Sequence, residues 1–161
     1  MEKRKPRLTQ DTREQLPLTF NKDRFHEINI EALPIGDYMI EIWTGETWQQ
    51  APITVDRKSL GDLYGTMTNG YERWKRCMER AKEHKVHMVL AIENTMTEVH
   101  AGYKYSQFSG DSMLKKLAML EVRYDLEVRY FNGRREMSRW IEEIADALAR
   151  NYSKPKTNPQ P

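Results

Sequence analysis

A carboxylate and an ammonium group two positions apart are the side chains of this sequence best suited to chemistry. Asp56 and Lys58 end a β-rich run within the stretch Ile53–Asp62. Alternate residues of an extended strand point to the same face, so the two groups are predicted to lie side by side. Such a pair suits a site that binds a divalent metal and stabilises negative charge on a phosphate. An Asp-x-Lys pattern alone is a very weak motif.

Further carboxylates precede this pair. Asp11 and Glu14 follow a predicted first strand, and Asp37 lies in a Pro/Gly turn before the third. Antiparallel neighbours place the start of one strand beside the end of its partner, so Asp37 and Asp56 are expected to meet across a hairpin. Two carboxylates and a backbone carbonyl would suit Mg²⁺, with Mn²⁺ as a substitute. Lys58 would then orient a water molecule or stabilise charge on a scissile phosphate.

Each of these residues also has a simpler interpretation. An Asp after Gly, such as Asp37, is often only a turn residue. Asp62, three positions after Ser59, is equally well explained as part of a helix capping box. Arg57 points away from Asp56 in an ideal strand and is explained by simple exposure. Glu93, at the end of a buried strand, is expected to solvate that strand end, with a supporting role behind the site as the alternative.

The composition indicates one globular domain. Of 161 residues, 39% are hydrophobic and 31% charged, which excludes a disordered chain. The longest apolar run, residues 88–92, is too short to span a membrane, and no signal segment follows the basic N-terminus. The single Cys77 excludes an internal disulfide, and the four histidines lack zinc-ligand spacing. A cytoplasmic location is therefore expected.

Helical and alternating patterns predict an α/β fold with a central mixed sheet flanked by helices. We expect a flexible basic arm at 1–7, one domain at 8–150 and a disordered tail at 151–161. The predicted strands are 8–12, 26–32, 38–43, 50–55, 86–92 and 126–131. The predicted helices are 59–67, 71–84, one capped by Asp111 or Ser112 and ending near 124, and a final helix bearing Met137, Ile141, Ile144 and Leu148.

The order of the motifs resembles the XPF-type nuclease domain of the PD-(D/E)XK superfamily, whose signature is GD-x(n)-ERK-x3-D. The chain has Gly36-Asp37, then Asp56-Arg57-Lys58, then Asp62. The similarity continues through the segments 69–74 and 89–93. It extends firmly over residues 8–93 and loosely to 148, and is greatest to stand-alone phage and bacterial members. One departure is Asp56, where the family usually has the longer Glu.

The resemblance implies a role for each matching position. Asp37 and Asp56 would bind the metal, with Asp11 as the third metal-binding acid and Glu14 as a further catalytic acid beside them. Lys58 would be the catalytic lysine, and Arg57 and Asp62 the remaining signature residues. No helix-hairpin-helix domain is expected after residue 148, so other groups must grip DNA. The candidates are the basic arm, the aromatic loop 103–108 or a partner protein. The cations expected to contact DNA are Lys3, Arg4, Lys5, Arg7, Arg13 and Lys104.

The leading hypothesis is thus a metal-dependent DNA endonuclease that cuts branched or flapped DNA in repair, recombination or phage replication. One alternative is a catalytically silent DNA-binding or scaffold subunit of the same fold, which the presence of the signature acids disfavours. A protein-interaction module with a coincidental acidic cluster is a further alternative, disfavoured by the motif order. A homodimer through the nuclease domain is also implied, with the stripe of the final helix as its surface or, more simply, packed on the sheet.

Overall fold

The computed structural model describes residues 2–152, which form six strands and five α-helices. The strands are β1 (Arg7–Asp11), β2 (Glu27–Glu31), β3 (Tyr38–Trp43), β4 (Trp48–Lys58), β5 (His87–Ile92) and β6 (Leu126–Tyr130). The helices are α1 (Leu60–Met67), α2 (Tyr71–Glu83), α3 (Met96–His100), α4 (Gly110–Arg123) and α5 (Arg134–Tyr152). The predicted tail at 153–161 lies outside the described residues, whereas residues 151 and 152 belong to α5. No helix within 2–152 has the length and apolar character needed to cross a membrane.

The strands form one mixed sheet in the order β2-β1-β3-β4-β5-β6. β1 is parallel to β2 and antiparallel to β3, and β3 forms an antiparallel hairpin with β4. β4, β5 and β6 are parallel to one another. The apolar β5 is an interior strand next to the edge strand β6, and its residues Met88–Ile92 are buried, as expected for a strand covered on both faces. The predicted α/β class and mixed sheet are confirmed.

Alternation along β4 divides the core into two layers. Val55 joins one apolar cluster with α5, while the opposite face packs α1, α2 and α4 around Leu90 and Ile92. Met137 and Ile141 of the α5 stripe are completely buried against the sheet. The stripe therefore serves mainly as core packing, with Ile144 and Leu148 half-buried, and the homodimer stays a prediction.

Two helix starts show how local chemistry sets the element bounds. The Ser59 side chain accepts a hydrogen bond from the Asp62 backbone N–H, which confirms the predicted start of α1. The predicted cap of α4 is wrong, because Ser109 takes that position and accepts from the Ser112 backbone N–H. Gly110 follows Ser109 because a Cβ there would lie 1.7 Å from the His100 carbonyl oxygen.

The basic arm is shorter and more engaged than expected. Arg7 is the first residue of β1, and its guanidinium pairs with both oxygens of Glu41 at 2.9 Å. The Lys5 ammonium donates to the Asp23 carbonyl at 2.6 Å, and the Arg4 guanidinium stacks 3.9 Å from the Trp43 ring centroid. These contacts hold residues 4–7 against the domain, so they are not a free arm.

Candidate functional site

The candidate site lies where β1 ends, β3 begins and β4 ends. The Asp37 backbone N–H donates to the Val55 carbonyl, and the Asp11 backbone N–H donates to the Asp37 carbonyl, both at 2.8 Å. Gly36 has a φ of +76°, and a Cβ there would lie 2.1 Å from the Thr54 hydroxyl oxygen. The Gly-Asp sequence is thus needed for the turn that brings Asp37 beside β4, as the hairpin argument predicted.

An open pocket of about 510 Å³ collects most of the predicted site residues. The sheet contributes Asp37, Asp56 and Lys58, and the α1–α2 segment forms the opposite wall with Gly61, Gly65, Asp62, Arg73 and Trp74. Asp11 and Arg13 lie at the β1 side of the pocket. The structure therefore brings together the signature residues that the sequence placed apart, with the exceptions of Arg57 and Glu14.

Asp56 is held by two donors. Its Oδ1 accepts from the Lys58 Nζ at 3.0 Å, and its Oδ2 accepts from the indole Nε1 of Trp74 at 2.9 Å. Trp74 is buried on α2, and sequence analysis covered it only within the family-like segment 69–74. No local pattern links it to Asp56, since the contact depends on how α2 docks on the sheet. Trp74 thus fixes the orientation of a carboxylate that also faces the pocket.

Lys58 is charged in this environment. Burial disfavours its ammonium, but the carboxylates of Asp56, Asp37 and Asp62 outweigh that effect, and the pKa of Lys58 is raised. Of these acids Asp62 is exposed and lies at the rim of the pocket. The arrangement presents a fixed positive charge next to two carboxylates.

Asp37 is the electrostatically frustrated member of the site. Burial, together with the negative charges of Asp56 and Glu14, raises the pKa of Asp37 to about 8. Its Oδ2 accepts from the Arg57 backbone N–H at 2.8 Å, which offsets these effects only in part. A divalent cation between Asp37 and Asp56 would relieve this repulsion, and an all-oxygen donor set is what Mg²⁺ and Mn²⁺ prefer. The residues present therefore fit such an ion.

The expected set of three metal-binding acids is not assembled. Within 2–152, no three His, Cys, Asp or Glu side chains converge closely enough to hold a metal ion together. Asp11 has both oxygens engaged, Oδ1 by the Leu33 backbone N–H at 3.0 Å and Oδ2 by Arg13 Nε at 2.8 Å. Asp11 therefore anchors the segment after β2. Asp37 and Asp56 are the leading candidate ligands, because the charge of Asp56 acts directly on Asp37.

Arg57 lies on the other face of β4, and it is not the exposed residue that the sequence suggested. Its side chain is buried, and its Nε and Nη2 donate to the two oxygens of Glu14 at 2.7 and 3.1 Å. Its Nη1 donates to Glu93 at 2.5 Å, and Glu93 also accepts from Arg134 at 2.6 Å. The expectation that Glu93 only solvates the strand end is wrong. Glu14 is likewise committed to Arg57 and not available as a site acid.

The predicted DNA-binding cations lie in different places. Arg13 has a 69% exposed side chain at the pocket rim, although its Nε pairs with Asp11. Lys104 lies in the aromatic loop, where its ammonium is 4.8 Å from the Tyr105 ring centroid. Arg7 and the residues before it lie at the start of β1, so the length of that strand separates them from Asp11. Arg73 of α2, which the sequence did not single out, also lines the pocket.

Comparisons with known proteins match both the sequence and the fold. The sequence profile of the ERCC4 domain matches residues 8–144. A solved structure of XPF from Aeropyrum pernix is 20% identical, with a TM-score of 0.64 over 91% of this chain and 67% of that chain. A second, of the same protein in complex with DNA, is 18% identical, with a TM-score of 0.65 over 95% and 69%. No curated protein matches the chain significantly. At these identities the two structures support the fold alone.

Proposed function

Because the chain belongs to the ERCC4 domain family, we propose that it is a divalent-metal-dependent endodeoxyribonuclease that hydrolyses phosphodiester bonds in branched or flapped DNA. The observation that carries the proposal is the juxtaposition of Asp37, Asp56 and a charged Lys58 in one open pocket. Two acids and a lysine at a strand end destabilise the fold, because burial beside like charges disfavours the ionised form of Asp37 and raises its pKa, and such an arrangement is typical of a functional site.

Asp37 and Asp56 are the residues that would hold Mg²⁺ or Mn²⁺. When bound, the ion would act as a Lewis acid on the phosphodiester and promote ionisation of the attacking water. Lys58 supplies a second positive charge, fixed by its contact with Asp56 at 3.0 Å. Such a preorganised cation stabilises charge that develops on the scissile phosphate without reorganising during the reaction.

The remaining residues of the site position these groups or meet the substrate. Trp74 and the Arg57 backbone N–H hold one oxygen each of Asp56 and Asp37. Arg13 and Arg73 flank the pocket and are suited to contact phosphates on either side of the cut. Asp62, the last residue of the signature, is exposed at the rim, and its negative charge helps to raise the pKa of Lys58.

Cleavage of labelled DNA tests the proposal. Flap, fork, junction and plain duplex substrates of the same sequence are incubated with the protein and Mg²⁺, Mn²⁺ or EDTA. We expect cutting of the branched substrates with either ion and none in EDTA. Equal cutting in EDTA would overturn the metal dependence. Binding of all substrates without cutting under any condition would instead indicate a catalytically silent DNA-binding subunit.

A further inference from the structure

A second groove opens directly beside the carboxylate pocket. It has a volume of about 680 Å³ and lies between α1 and the aromatic loop 103–108. Gly61 and Gly65 line both cavities. The surface of α1 between the pocket and the groove therefore carries no side chain at these two positions. A chain leaving the carboxylate pocket over α1 would therefore enter this groove.

The groove presents an aromatic ring to solvent. Tyr105 is 75% exposed, yet it is held by an edge-on contact with Tyr103, with the ring centroids 5.5 Å apart. Tyr103 in turn packs 6.0 Å from the buried Tyr64 ring. The Tyr105 ring is thus held in place by residues packed on the core, although it is itself mostly exposed. An exposed and positioned tyrosine suits stacking on a planar ligand.

Positive charge accompanies this ring. The Lys104 ammonium lies 4.8 Å from the Tyr105 ring centroid. Lys116 donates to the Met67 carbonyl and lies 3.8 Å from the Tyr71 ring centroid and 5.7 Å from that of Phe108, of which only Phe108 lines the groove. The Tyr105 ring and the Lys104 ammonium beside it offer the two contacts that an unpaired nucleotide needs, one for its base and one for its phosphate.

Gly65 gives independent support because the fold does not require a glycine there. It lies inside α1, it is exposed, and a Cβ at this position would have no atom within 4 Å. Glycine in a helix interior is destabilising relative to alanine. Gly61 differs, because its Cβ would lie 3.0 Å from the Tyr103 hydroxyl oxygen. The missing side chain at Gly65 keeps open the passage between pocket and groove.

We propose that this groove binds an unpaired segment of DNA that continues from the strand held at the carboxylate pocket, with Tyr105 stacking on a base and Lys104 contacting a phosphate. The proposal deepens the proposed nuclease function and rests on it for the path of the strand. A single strand is favoured over a duplex because stacking on Tyr105 needs a base whose face is free.

Fluorescence anisotropy in EDTA tests the groove without any cleavage. The probes are a labelled oligothymidylate and a labelled duplex of equal length. We expect Tyr105→Ala to weaken oligothymidylate binding on the order of tenfold and duplex binding far less. Lys104→Gln should lower the salt slope for the oligothymidylate by about 0.7. The matched control is Tyr152→Ala, which removes an exposed tyrosine of α5 outside the groove and should leave both probes unaffected.

Gly65 separates occupancy of the groove from damage to the fold. Gly65→Ala should raise the melting temperature, and Gly65→Leu should fold but weaken oligothymidylate binding by blocking the passage. Wild-type affinity in both Tyr105→Ala and Gly65→Leu would overturn the proposal, as would an equal weakening of duplex binding. A protein that cuts no DNA but loses oligothymidylate binding in these variants would contradict the nuclease and retain the groove.

Discussion

The two faces of β4 carry consecutive residues of one motif and treat their charges in opposite ways. Asp56 and Lys58 face an open pocket together with Asp37, whose pKa is raised to about 8 by burial and by the negative charges of Asp56 and Glu14. Arg57, between them, faces α5 and has its guanidinium nitrogens paired with Glu14 and Glu93. One face stores electrostatic repulsion that a cation would relieve, and the other is already neutralised. In this motif, therefore, Asp56 and Lys58 form the candidate site, whereas Arg57 between them stabilises the fold.

The largest effect on the cleavage rate should come from removing the Lys58 charge on the pocket face of β4. Lys58→Met keeps the stem and deletes the charge, so we expect the single-turnover cleavage rate to fall by about 10²- to 10³-fold, the scale for removing one preorganised electrostatic interaction. The free energy of unfolding should change less than in Arg57→Met, since Asp56 keeps its hydrogen bond from Trp74 and borders an open pocket. Rapid-quench kinetics and urea titration of the same preparation measure both effects. Wild-type cleavage would contradict the assignment.

On the other face, Arg57→Met should mainly reduce stability. It leaves Glu14 without its cationic partner and Glu93 with Arg134 alone. Removal of one partner of a buried ion pair costs about 3–5 kcal/mol, and the midpoint of urea unfolding should fall accordingly. The double variant Arg57→Met/Glu14→Gln should recover part of this decrease. A stability equal to wild type would show that the network contributes nothing to the fold.

The pH dependence of the free energy of unfolding should reveal the electrostatic repulsion around Asp37 in the pocket. Because the pKa of Asp37 is about 8 in the folded protein and near 3.9 in an unfolded chain, the folded state holds the extra proton between these values. The free energy of unfolding of metal-free protein should therefore decline as the pH rises from about 4 to 8, by at most ~1.4 kcal/mol per pH unit from this group. Asp37→Asn should flatten that decline. An identical slope in the variant would exclude Asp37 as its source.

The smallest effect is expected from the N-terminal cations, which lie at the opposite end of β1. Neutralising Lys3, Arg4 and Lys5 together to Gln should leave the cleavage rate at saturating DNA unchanged. The slope of log affinity against log salt should fall by about 0.9 for each duplex phosphate that these cations neutralise in the wild-type complex. An unchanged slope, measured by anisotropy, would show that these residues do not touch DNA.

Sequence reasoning predicted the parts of the site that depend on local rules. Strand alternation placed Asp56 beside Lys58, hairpin pairing placed Asp37 beside Asp56, and Ser59 began α1. The interactions that it missed join distant elements. Arg57 meets Glu14 and Glu93 at sequence separations of 43 and 36, and Trp74 reaches Asp56 only when α2 docks. No periodicity records such docking, so the sequence alone predicts an exposed Arg57 and a Glu93 that only solvates a strand end.

The start of α4 was predicted wrongly because several neighbouring residues are suitable helix caps. Ser109, Asp111 and Ser112 are all good helix caps, and only the close approach of Gly110 to His100 selects Ser109. α3 escaped prediction because five residues are too few for a helical period to show. Its Thr95–Glu98 capping box was the one available signal.

Calorimetric titration of Mn²⁺ at pH 8 tests the central claim most directly, because it needs no DNA substrate. Wild-type protein should bind Mn²⁺ saturably, Asp56→Asn should abolish that binding, and Glu93→Gln on the opposite face of β4 should retain it. The two variants remove one carboxylate charge each and differ in which face they alter. Binding that survives Asp56→Asn but disappears in Glu93→Gln would contradict the division of β4 into a metal-binding face and a structural face.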